Sequence, residues 1–370
     1  MDLYPNLITE ALALVKHPGK GKDIVSLDMI EDDIKIDGKR VSFSLLFDRV
    51  NDPFVGSIKK ACVQAIKSHA GDDVDVSEGS IYVKIRPKVV KEVRSVLPGV
   101  KNIIAISSGK GGVGKSTVTS NLAVALANAG YSVGLLDADI YGPSMPKMFN
   151  TEDERPVVEV IDGKNRIAPV EKYGVKLLSI GYFVNPEDAL VWRGAMATGA
   201  LKQLITEGNW GELDYFLIDL PPGTSDIHLT LVQTVPITAA IIVSTPQAVA
   251  LADVVKGISM FNGKSVNVPV LGLVENMAYF TPAELPNNKY YIFGKEGCKK
   301  LAAEINVPLL GEIPIVQSIC EGGDSGEPVA LNGDSVLGIA FAQLAEKVVN
   351  AVEFRNKTLP ATQIVEIKTK

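Results

Sequence analysis

From residue 102 onwards, short apolar runs alternate with longer segments in which apolar residues recur at helical spacing. The runs have the length of buried strands, and the longer segments are typical of amphipathic helices. Strands are predicted at 103–107, 132–136, 175–180, 214–218, 238–244, 269–275 and 308–312, and helices at 115–129, 194–207, 247–262 and 335–351. This alternation predicts an α/β fold with a doubly wound, mostly parallel sheet, whose ligands bind at the carboxyl ends of the strands.

The first 97 residues follow a different pattern, which indicates a separate small domain. A helix is predicted at 5–16, strands at 24–30 and 39–47, a second helix from 52 onwards and a last strand at 80–85. The order αββαβ is typical of an open two-layer α+β domain. The predicted division is therefore a small α+β domain over 1–97, a larger domain over 98–356 and a tail over 357–370.

Composition narrows the classes of protein to consider. The 370 residues carry a net charge of −6 and no long basic block, so nucleic acid is not an expected partner. Three widely spaced cysteines without a CxxC pair exclude a disulfide framework and favour a reducing compartment. No apolar run approaches the length of a membrane span, and the N-terminus lacks the pattern of a secretory signal. A cytoplasmic protein without a membrane partner is expected.

The segment between the first predicted strand and helix of the larger domain fits the phosphate-loop pattern G-x-x-x-x-G-K-[ST]. Its glycines let backbone N–H groups face phosphate oxygens at the positive end of the following helix. Lys115 is expected to bridge the β- and γ-phosphates, and the Ser116 hydroxyl is expected to hold Mg²⁺. The predicted nucleotide-binding residues of the loop are Gly109, Lys110, Gly111, Gly112, Val113, Gly114, Lys115, Ser116 and Thr117.

Carboxylates follow two other predicted strands, at the same edge of the sheet. Asp137 and Asp139 follow the second predicted strand, and Asp219 follows the fourth. Asp219 is expected to act on Mg²⁺ through water, Asp137 to contact the shell of that ion, and Asp139 to orient the attacking water. A turn with an Asx cap is the alternative for the first two residues. The N–H of Gly223 is the candidate γ-phosphate sensor, because only glycine lets the backbone approach so closely.

These motifs resemble those of a known ATPase family. The strings DADIYGPS at 137–144 and DLPPGT at 219–224 follow the loop GKGGVGKST as in Mrp/ApbC-type P-loop ATPases. These relatives of MinD and ParA are described as iron–sulfur cluster carriers. The resemblance implies ATP and Mg²⁺ as cofactors and a homodimer that hydrolyses ATP. It also makes Lys110 a catalytic candidate beside Asp139 and Asp219, since the family's early lysine reaches the partner subunit's nucleotide. A solvated loop lysine is the alternative.

The resemblance implies further roles. Asn276 follows the predicted strand 269–275 and matches the asparagine that reads adenine in MinD-like proteins; from the residues alone, a turn asparagine is an equal alternative. The segment KDIVSL at 22–27 resembles a fingerprint of the small iron–sulfur assembly domain that often precedes these ATPases. Iron–sulfur scaffold proteins and apoprotein clients are the implied partners.

One departure from the family concerns the cluster. Many members carry a CxxC pair after the segment ENMxYF and bind a cluster across the dimer interface, but Pro282 and Leu285 occupy those positions here. Cys298 lies nearby in the sequence and is the candidate iron–sulfur ligand, with a small buried core residue as the alternative. The expected function is a nucleotide-gated cluster carrier or assembly factor. The alternatives are an ATP-dependent scaffold or chaperone that binds no cluster, and a MinD- or ParA-like positioning switch.

Overall fold

The structure is a computed structural model in which the chain divides into two compact units, Met1–Val93 and Arg94–Lys370. Each unit has its own hydrophobic core. The residues described are 3–31, 33–47, 52–85, 96–161, 163–183, 194–263, 266–282, 284–285 and 287–364. Within these ranges, no helix is both long enough and apolar enough to cross a membrane.

The N-terminal unit, over its described residues, combines two α-helices with a three-stranded sheet. Its elements are α1 (Pro5–Leu12), β1 (Lys35–Asp37), β2 (Arg40–Phe47), α2 (Val55–Ala70) and β3 (Ile81–Ile85). In the sheet order β1-β2-β3, β1 runs antiparallel and β3 parallel to β2. Both helices and β2 contribute to one core, which includes Ile8, Phe43 and Cys62. The predicted order αββαβ is confirmed, although α1 is shorter than the helix predicted at 5–16.

The first strand of this unit does not lie where the sequence predicts it. Segment 24–30 forms turns, and Ile30 makes only an isolated bridge to β2. The Asp23 carboxylate accepts a hydrogen bond from the Ser26 N–H at 2.7 Å, and Asp28 adopts a left-handed φ of 52°. A turn built on a side-chain bond of this kind competes with strand pairing for the backbone. The strand prediction was wrong because the apolar alternation does not reveal that bond.

The C-terminal unit alternates strands and helices along the chain. Its strands are β4 (Val100–Ser107), β5 (Val133–Asp137), β6 (Val158–Ile161), β7 (Lys164–Ile167), β8 (Val170–Lys172), β9 (Val175–Ser179), β10 (Leu213–Asp219), β11 (Ala239–Ser244), β12 (Val270–Phe280) and β13 (Leu309–Ile315). Its α-helices are α3 (Lys115–Asn128), α4 (Met145–Met148), α5 (Gly194–Glu207), α6 (Asp226–Thr234), α7 (Ala248–Phe261), α8 (Gly297–Glu304), α9 (Gln317–Ser325) and α10 (Val336–Thr358).

The main sheet is eight-stranded, in the order β13-β12-β11-β4-β10-β5-β9-β8, and its described pairings are parallel except for that of the edge strand β8. Buried residues of α5, α6, α7 and α8 pack with one face of the sheet, and those of α3 and α10 with the other. Each predicted strand of this domain is present. The doubly wound, mostly parallel α/β fold is therefore confirmed.

The elements that the sequence analysis missed are short. They are the antiparallel hairpin β6–β7, the edge strand β8 and the helices α4, α6 and α9, none of them longer than nine residues. Elements of this length hold too few repeats to show a clear period.

The long helix α10 runs through Thr358, two residues into the predicted tail. The Arg355 guanidinium then donates to the Pro360 carbonyl at 2.8 Å and holds the chain that follows.

Gly134, in the middle of β5, generates a packing prediction. A β-carbon at this position would lie 2.6 Å from Leu213 Cδ1 and 2.8 Å from Phe216 Cδ2. Gly134→Ala is therefore expected to lower the free energy of unfolding by about 1–3 kcal/mol, the usual cost of overpacking, as measured by urea denaturation. Gly199→Ala on α5 is the matched control, because its β-carbon would have no atom within 4 Å. An equal loss of stability at both positions would contradict the packing explanation.

Candidate functional site

The predicted phosphate loop lies at the carboxyl edge of the main sheet, between β4 and α3. It turns through Gly112 and Gly114, whose φ angles of 78° and 79° lie in the left-handed region that favours glycine. Gly114 is also the N-cap of α3, so the loop leads into the positive end of that helix. A cavity of about 210 Å³ opens here. Its lining includes residues 110–117, Asp139, Ser144, Met148 and Pro222.

Gly109 is the one predicted loop residue that is not among the described lining residues of this phosphate cavity. A β-carbon at Gly109 would lie 2.4 Å from the backbone carbonyl carbon of Asp253 on α7. Glycine is therefore required for the close packing of the loop against α7. That Gly109 also contacts the nucleotide stays a prediction.

Three side chains from the start of α3 converge on Asp219 at the end of β10. Lys115 Nζ and Ser116 Oγ each lie 2.7 Å from Asp219 Oδ2, and Thr119 Oγ1 lies 2.7 Å from Oδ1. Lys115 is 6% exposed and Asp219 is fully buried. Removing one member of a buried pair leaves an uncompensated charge, at a typical cost of about 3–5 kcal/mol. The sequence analysis missed Thr119, although its position one turn after Lys115 places both on one face of the helix.

A second buried carboxylate lies level with Asp219 on the neighbouring strand β5. Asp137 Oδ2 accepts hydrogen bonds from Ser179 Oγ at 3.0 Å and from the Met145 N–H at 3.2 Å. Burial and the neighbouring Asp219 carboxylate raise the pKa of Asp137 to about 7. Asp139 lines the phosphate cavity, and burial raises the pKa of its carboxyl group as well. Clustered carboxylates are unfavourable when charged unless a cation lies near them, so this edge suits a divalent ion.

The N–H of Gly223, the candidate γ-phosphate sensor, is hydrogen-bonded within the protein. Gly223 has a left-handed φ of 75°, and its N–H donates to the Ser108 carbonyl at 2.9 Å. The adjacent Pro222 lines the phosphate cavity. Gly223 therefore lies beside the cavity, but its N–H can reach a phosphate only after the bond to Ser108 breaks.

A second cavity, of about 440 Å³, continues from the phosphate cavity and shares Gly114, Thr117, Ser144 and Met148 with it. The residues of its wall include Met277, Phe293, Pro314, Ile315, Ile319 and Cys320. A mostly apolar cleft beside a phosphate cavity suits a nucleoside. The sequence analysis missed these residues because only the fold brings β13 and α9 close to the loop.

Two polar side chains lie where the two cavities meet. Asn276, the predicted adenine reader, lines the larger cavity, but its Nδ2 donates to the Val113 carbonyl at 2.8 Å. Ser144 lines both cavities, and its buried Oγ has no hydrogen-bond partner among the described residues. Ser144 belongs to the string DADIYGPS but was not predicted as a site residue. It therefore contributes a buried hydroxyl without a partner at the wall that the two cavities share.

Cys298, the candidate cluster ligand, lies in the protein core at the start of α8. It is fully buried, and its N–H donates to Glu275 Oε2 at 2.6 Å. Burial and the Glu275 carboxylate raise the pKa of the thiol far above its usual range. A thiol with no exposed surface cannot share an iron with a second chain, so this conformation argues against the predicted ligand role and supports the core alternative. In the described part of the chain, no group of three or more His, Cys, Asp or Glu side chains is arranged for a metal ion.

The cysteines differ in exposure. Cys62 and Cys298 are buried, whereas Cys320 on α9 is exposed and lines the larger cavity. The sulfur of Cys320 lies 3.7 Å from Asp324 Oδ2. Cys320 is therefore the thiol that a solvent-borne group can reach in this conformation.

His228 is a buried titratable group that the sequence analysis missed. It lies in the first turn of α6, where its Nδ1 accepts a hydrogen bond from the Ser225 N–H at 3.2 Å. Its Nε2 has no hydrogen-bond partner among the described residues. Burial lowers the pKa of the ring to about 4, so the imidazole is neutral at neutral pH. The neutral ring caps α6 directly after the segment that contains Gly223.

This lowered pKa generates a pH prediction. Between the ordinary histidine pKa of 6.5 and about 4, the unfolded state binds more protons at this position than the folded state. The stabilising effect of the neutral ring is thus complete above 6.5 and is lost as the pH falls through 4. His228→Gln does not titrate, so its loss of stability between about pH 7 and 5 should be smaller than that of wild type by on the order of 2 kcal/mol. Thermal unfolding measures this, and parallel pH curves for the two proteins would contradict it.

Comparison with known proteins identifies the family. A ParA-type family model described as NUBPL iron-transfer P-loop NTPase matches residues 99–349, and a model described as iron-sulfur cluster assembly protein matches 6–78. The chain is 41% identical over 351 residues to the iron-sulfur cluster carrier protein of Synechocystis sp., with 95% of this chain and 98% of that protein covered. It is 51% identical over 263 residues to the iron-sulfur cluster carrier protein of Aquifex aeolicus, with 70% of each covered.

A solved structure agrees with these relatives. A nucleotide-binding protein from Archaeoglobus fulgidus in complex with ADP is 39% identical, with a TM-score of 0.55, 64% of this chain covered and 91% of that one. The resemblance predicted from the motifs is confirmed. This chain belongs to the ParA-type family described as NUBPL iron-transfer P-loop NTPases.

Proposed function

We propose that this protein is a Mg²⁺-dependent ATPase that works as a homodimer in the assembly or transfer of iron–sulfur clusters. Its P-loop NTPase family supports nucleotide binding and hydrolysis. The cluster role is supported by relatives named iron-sulfur cluster carrier protein and by the match of the small domain. The observation that carries the ATPase proposal is the convergence of Lys115 and Ser116 on Asp219 beside a phosphate-sized cavity.

The donor groups at this edge fit a triphosphate with a divalent cation. Lys115 and the N-terminus of α3 provide positive charge for phosphate oxygens. The Ser116 hydroxyl and the Asp219 carboxylate are hard oxygen donors, the type that Mg²⁺ prefers, and these two residues would hold it. When bound, the ion would neutralise negative charge on the β- and γ-phosphates. In the same state, Lys115 exchanges its contact with Asp219 for the phosphate oxygens.

Hydrolysis requires an oriented water and stabilisation of the charge on the transferred phosphoryl group. Asp139 lines the phosphate cavity and is half-buried, so in this proposal its carboxylate orients the water. Lys110 is exposed at the rim of the loop, a position that suits a contact with the nucleotide of a partner subunit. The homodimer would then complete each site with one residue from the other chain.

The segment after Asp219 contains the group through which a bound γ-phosphate would change the conformation of the protein. In this proposal the Gly223 N–H leaves the Ser108 carbonyl and donates to the γ-phosphate. Because α6 begins three residues after Gly223, this exchange would move the first turn of that helix. The base and ribose would occupy the larger cavity, where a rotation of the Ser144 side chain would bring its unpartnered hydroxyl to the ligand.

The exposure of the cysteines determines how many ligands this chain could supply to an iron–sulfur cluster. Clusters are usually held by four thiolates, and a twofold interface repeats every contact. Two copies of the exposed Cys320 supply half of that set, while the buried Cys62 and Cys298 supply none in this conformation. We therefore propose that a carried cluster completes its coordination with ligands from a scaffold protein or an apoprotein client. The same observation favours the second candidate, an ATP-dependent scaffold without its own cluster.

Free thiols also suit the reducing cytoplasm, the proposed location.

Substitutions at the ion pair test the nucleotide proposal. Lys115→Ala is expected to weaken ATP binding at least about tenfold, equivalent to about 1.4 kcal/mol, because the loop loses its main positive charge. Asp219→Asn is expected to keep ATP binding and to lose most Mg²⁺-dependent hydrolysis. Calorimetric titration and phosphate-release assays measure the two effects. The matched control is Lys101→Ala, which breaks a 2.8 Å ion pair with Asp214 at the opposite end of β10 and should change neither. Unaltered ATP affinity in Lys115→Ala would refute the assignment of the loop.

Anaerobic reconstitution with iron and sulfide tests the cluster proposal. We expect wild type to keep a cluster through gel filtration only when a thiol or a partner protein is present. Cys320→Ser should lose this cluster, and Cys298→Ser should keep it because its thiol is buried. A stable, stoichiometric cluster in Cys320→Ser would show that other ligands hold it. Absence of iron from all three proteins would favour the scaffold.

A further inference from the structure

Asn276 lies within β12, is 6% exposed and makes a contact that its predicted role does not explain. Its Nδ2 donates to the Val113 carbonyl at 2.8 Å, so a side chain of the sheet holds the turn of the phosphate loop. The two residues are 163 positions apart in the sequence, and the bond is buried. Because an unmade buried hydrogen bond is unfavourable, this contact restrains the loop.

The restraint acts on the peptide bond between Val113 and Gly114. The described peptide bonds are all trans, and in a planar trans peptide the C=O and the N–H point in opposite directions. Holding the Val113 carbonyl towards Asn276 therefore fixes the direction of the Gly114 N–H, at the residue that caps α3 and lines both cavities. We propose that Asn276 is a positioning residue that anchors the phosphate loop in its binding conformation, an inference that rests on the proposed nucleotide function.

The local backbone accommodates this contact. A β-carbon at Gly114 would lie 2.2 Å from the Asn276 Nδ2, so glycine leaves the space that the amide occupies. Met277 adopts a left-handed φ of 55°, a conformation that residues with a side chain rarely adopt. The pairing of β12 with β13 also becomes irregular after Asn276. The strand thus departs from regular geometry where its amide reaches the loop.

An anchor and a base reader differ in what they discriminate. A base reader contributes to ATP affinity and to the preference for ATP over GTP, but it contributes nothing to the binding of inorganic phosphate chains. An anchor contributes similarly to every ligand whose phosphates enter the loop. One N–H of the Asn276 amide donates to the Val113 carbonyl. Removing the amide therefore affects the loop whichever base is bound.

The test measures the affinities of the full-length protein for ATP, GTP and inorganic tripolyphosphate, each with Mg²⁺. Asn276→Ala and Asn276→Asp are expected to weaken all three by a similar factor, on the order of tenfold. The Asp variant should be the weaker one, because its carboxylate would face the Val113 carbonyl. The preference for ATP over GTP should remain that of wild type. The matched control is Asn128→Ala, which removes a similar bond to the Ala330 carbonyl, 2.9 Å long, and should leave all three affinities unchanged.

Loss of ATP affinity and of the ATP preference, with tripolyphosphate binding retained, would overturn the anchor and make Asn276 a base reader. Unchanged affinities for all three ligands would overturn it as well. Thermal unfolding without ligand identifies a folding defect, and Asn276→Ser provides a milder variant if the alanine protein is unstable. A wild-type protein that binds neither ATP nor tripolyphosphate would instead overturn the proposed nucleotide function, and the anchor with it.

Discussion

The buried ion pair between Lys115 and Asp219 sets the charge balance at the carboxyl edge of the main sheet. Asp137 lies level with Asp219 on the next strand, and Asp139 follows it into the phosphate cavity. Buried carboxylates this close are unfavourable when all are charged, as the raised pKa of Asp137 indicates. A phosphate chain that takes Lys115 away from Asp219 adds further negative charge. Its binding therefore depends on added positive charge, which links nucleotide affinity to a divalent cation.

The phosphate loop is supported from several sides, and each contact fixes a different part of it. Gly109 packs closely against α7, the Ser108 carbonyl accepts the N–H of Gly223, and the Val113 carbonyl accepts the amide of Asn276. Supports of this kind reduce the ordering that a ligand must impose when it binds. Under the proposed function these contacts do not all last through the ATPase cycle, because the Ser108 contact must break before the Gly223 N–H can bind the γ-phosphate. The other two can persist through the cycle.

Much of the fold could be predicted because the necessary information is local. The central strands are uninterrupted apolar runs, and the loop carries its glycines within one motif. Contacts across the fold could not be predicted: the Gly223 N–H donates to the Ser108 carbonyl and the Asn276 amide donates to the Val113 carbonyl, and neither bond is visible in the sequence. Sequence proximity to the missing CxxC likewise favoured Cys298, which α8 places in the core. At 24–30 the error was local, because a bond from Asp23 overrides the strand-like pattern.

The distribution of thiols also gives the protein a built-in attachment point for an optical probe. Alkylating dyes react with exposed thiolates. Burial raises the pKa of Cys62 to about 12, and Cys298 is equally enclosed in the core. A maleimide fluorophore would therefore label Cys320, on the wall of the larger cavity, without any engineered cysteine. The emission of such a label would report in real time when a molecule enters or leaves the cleft.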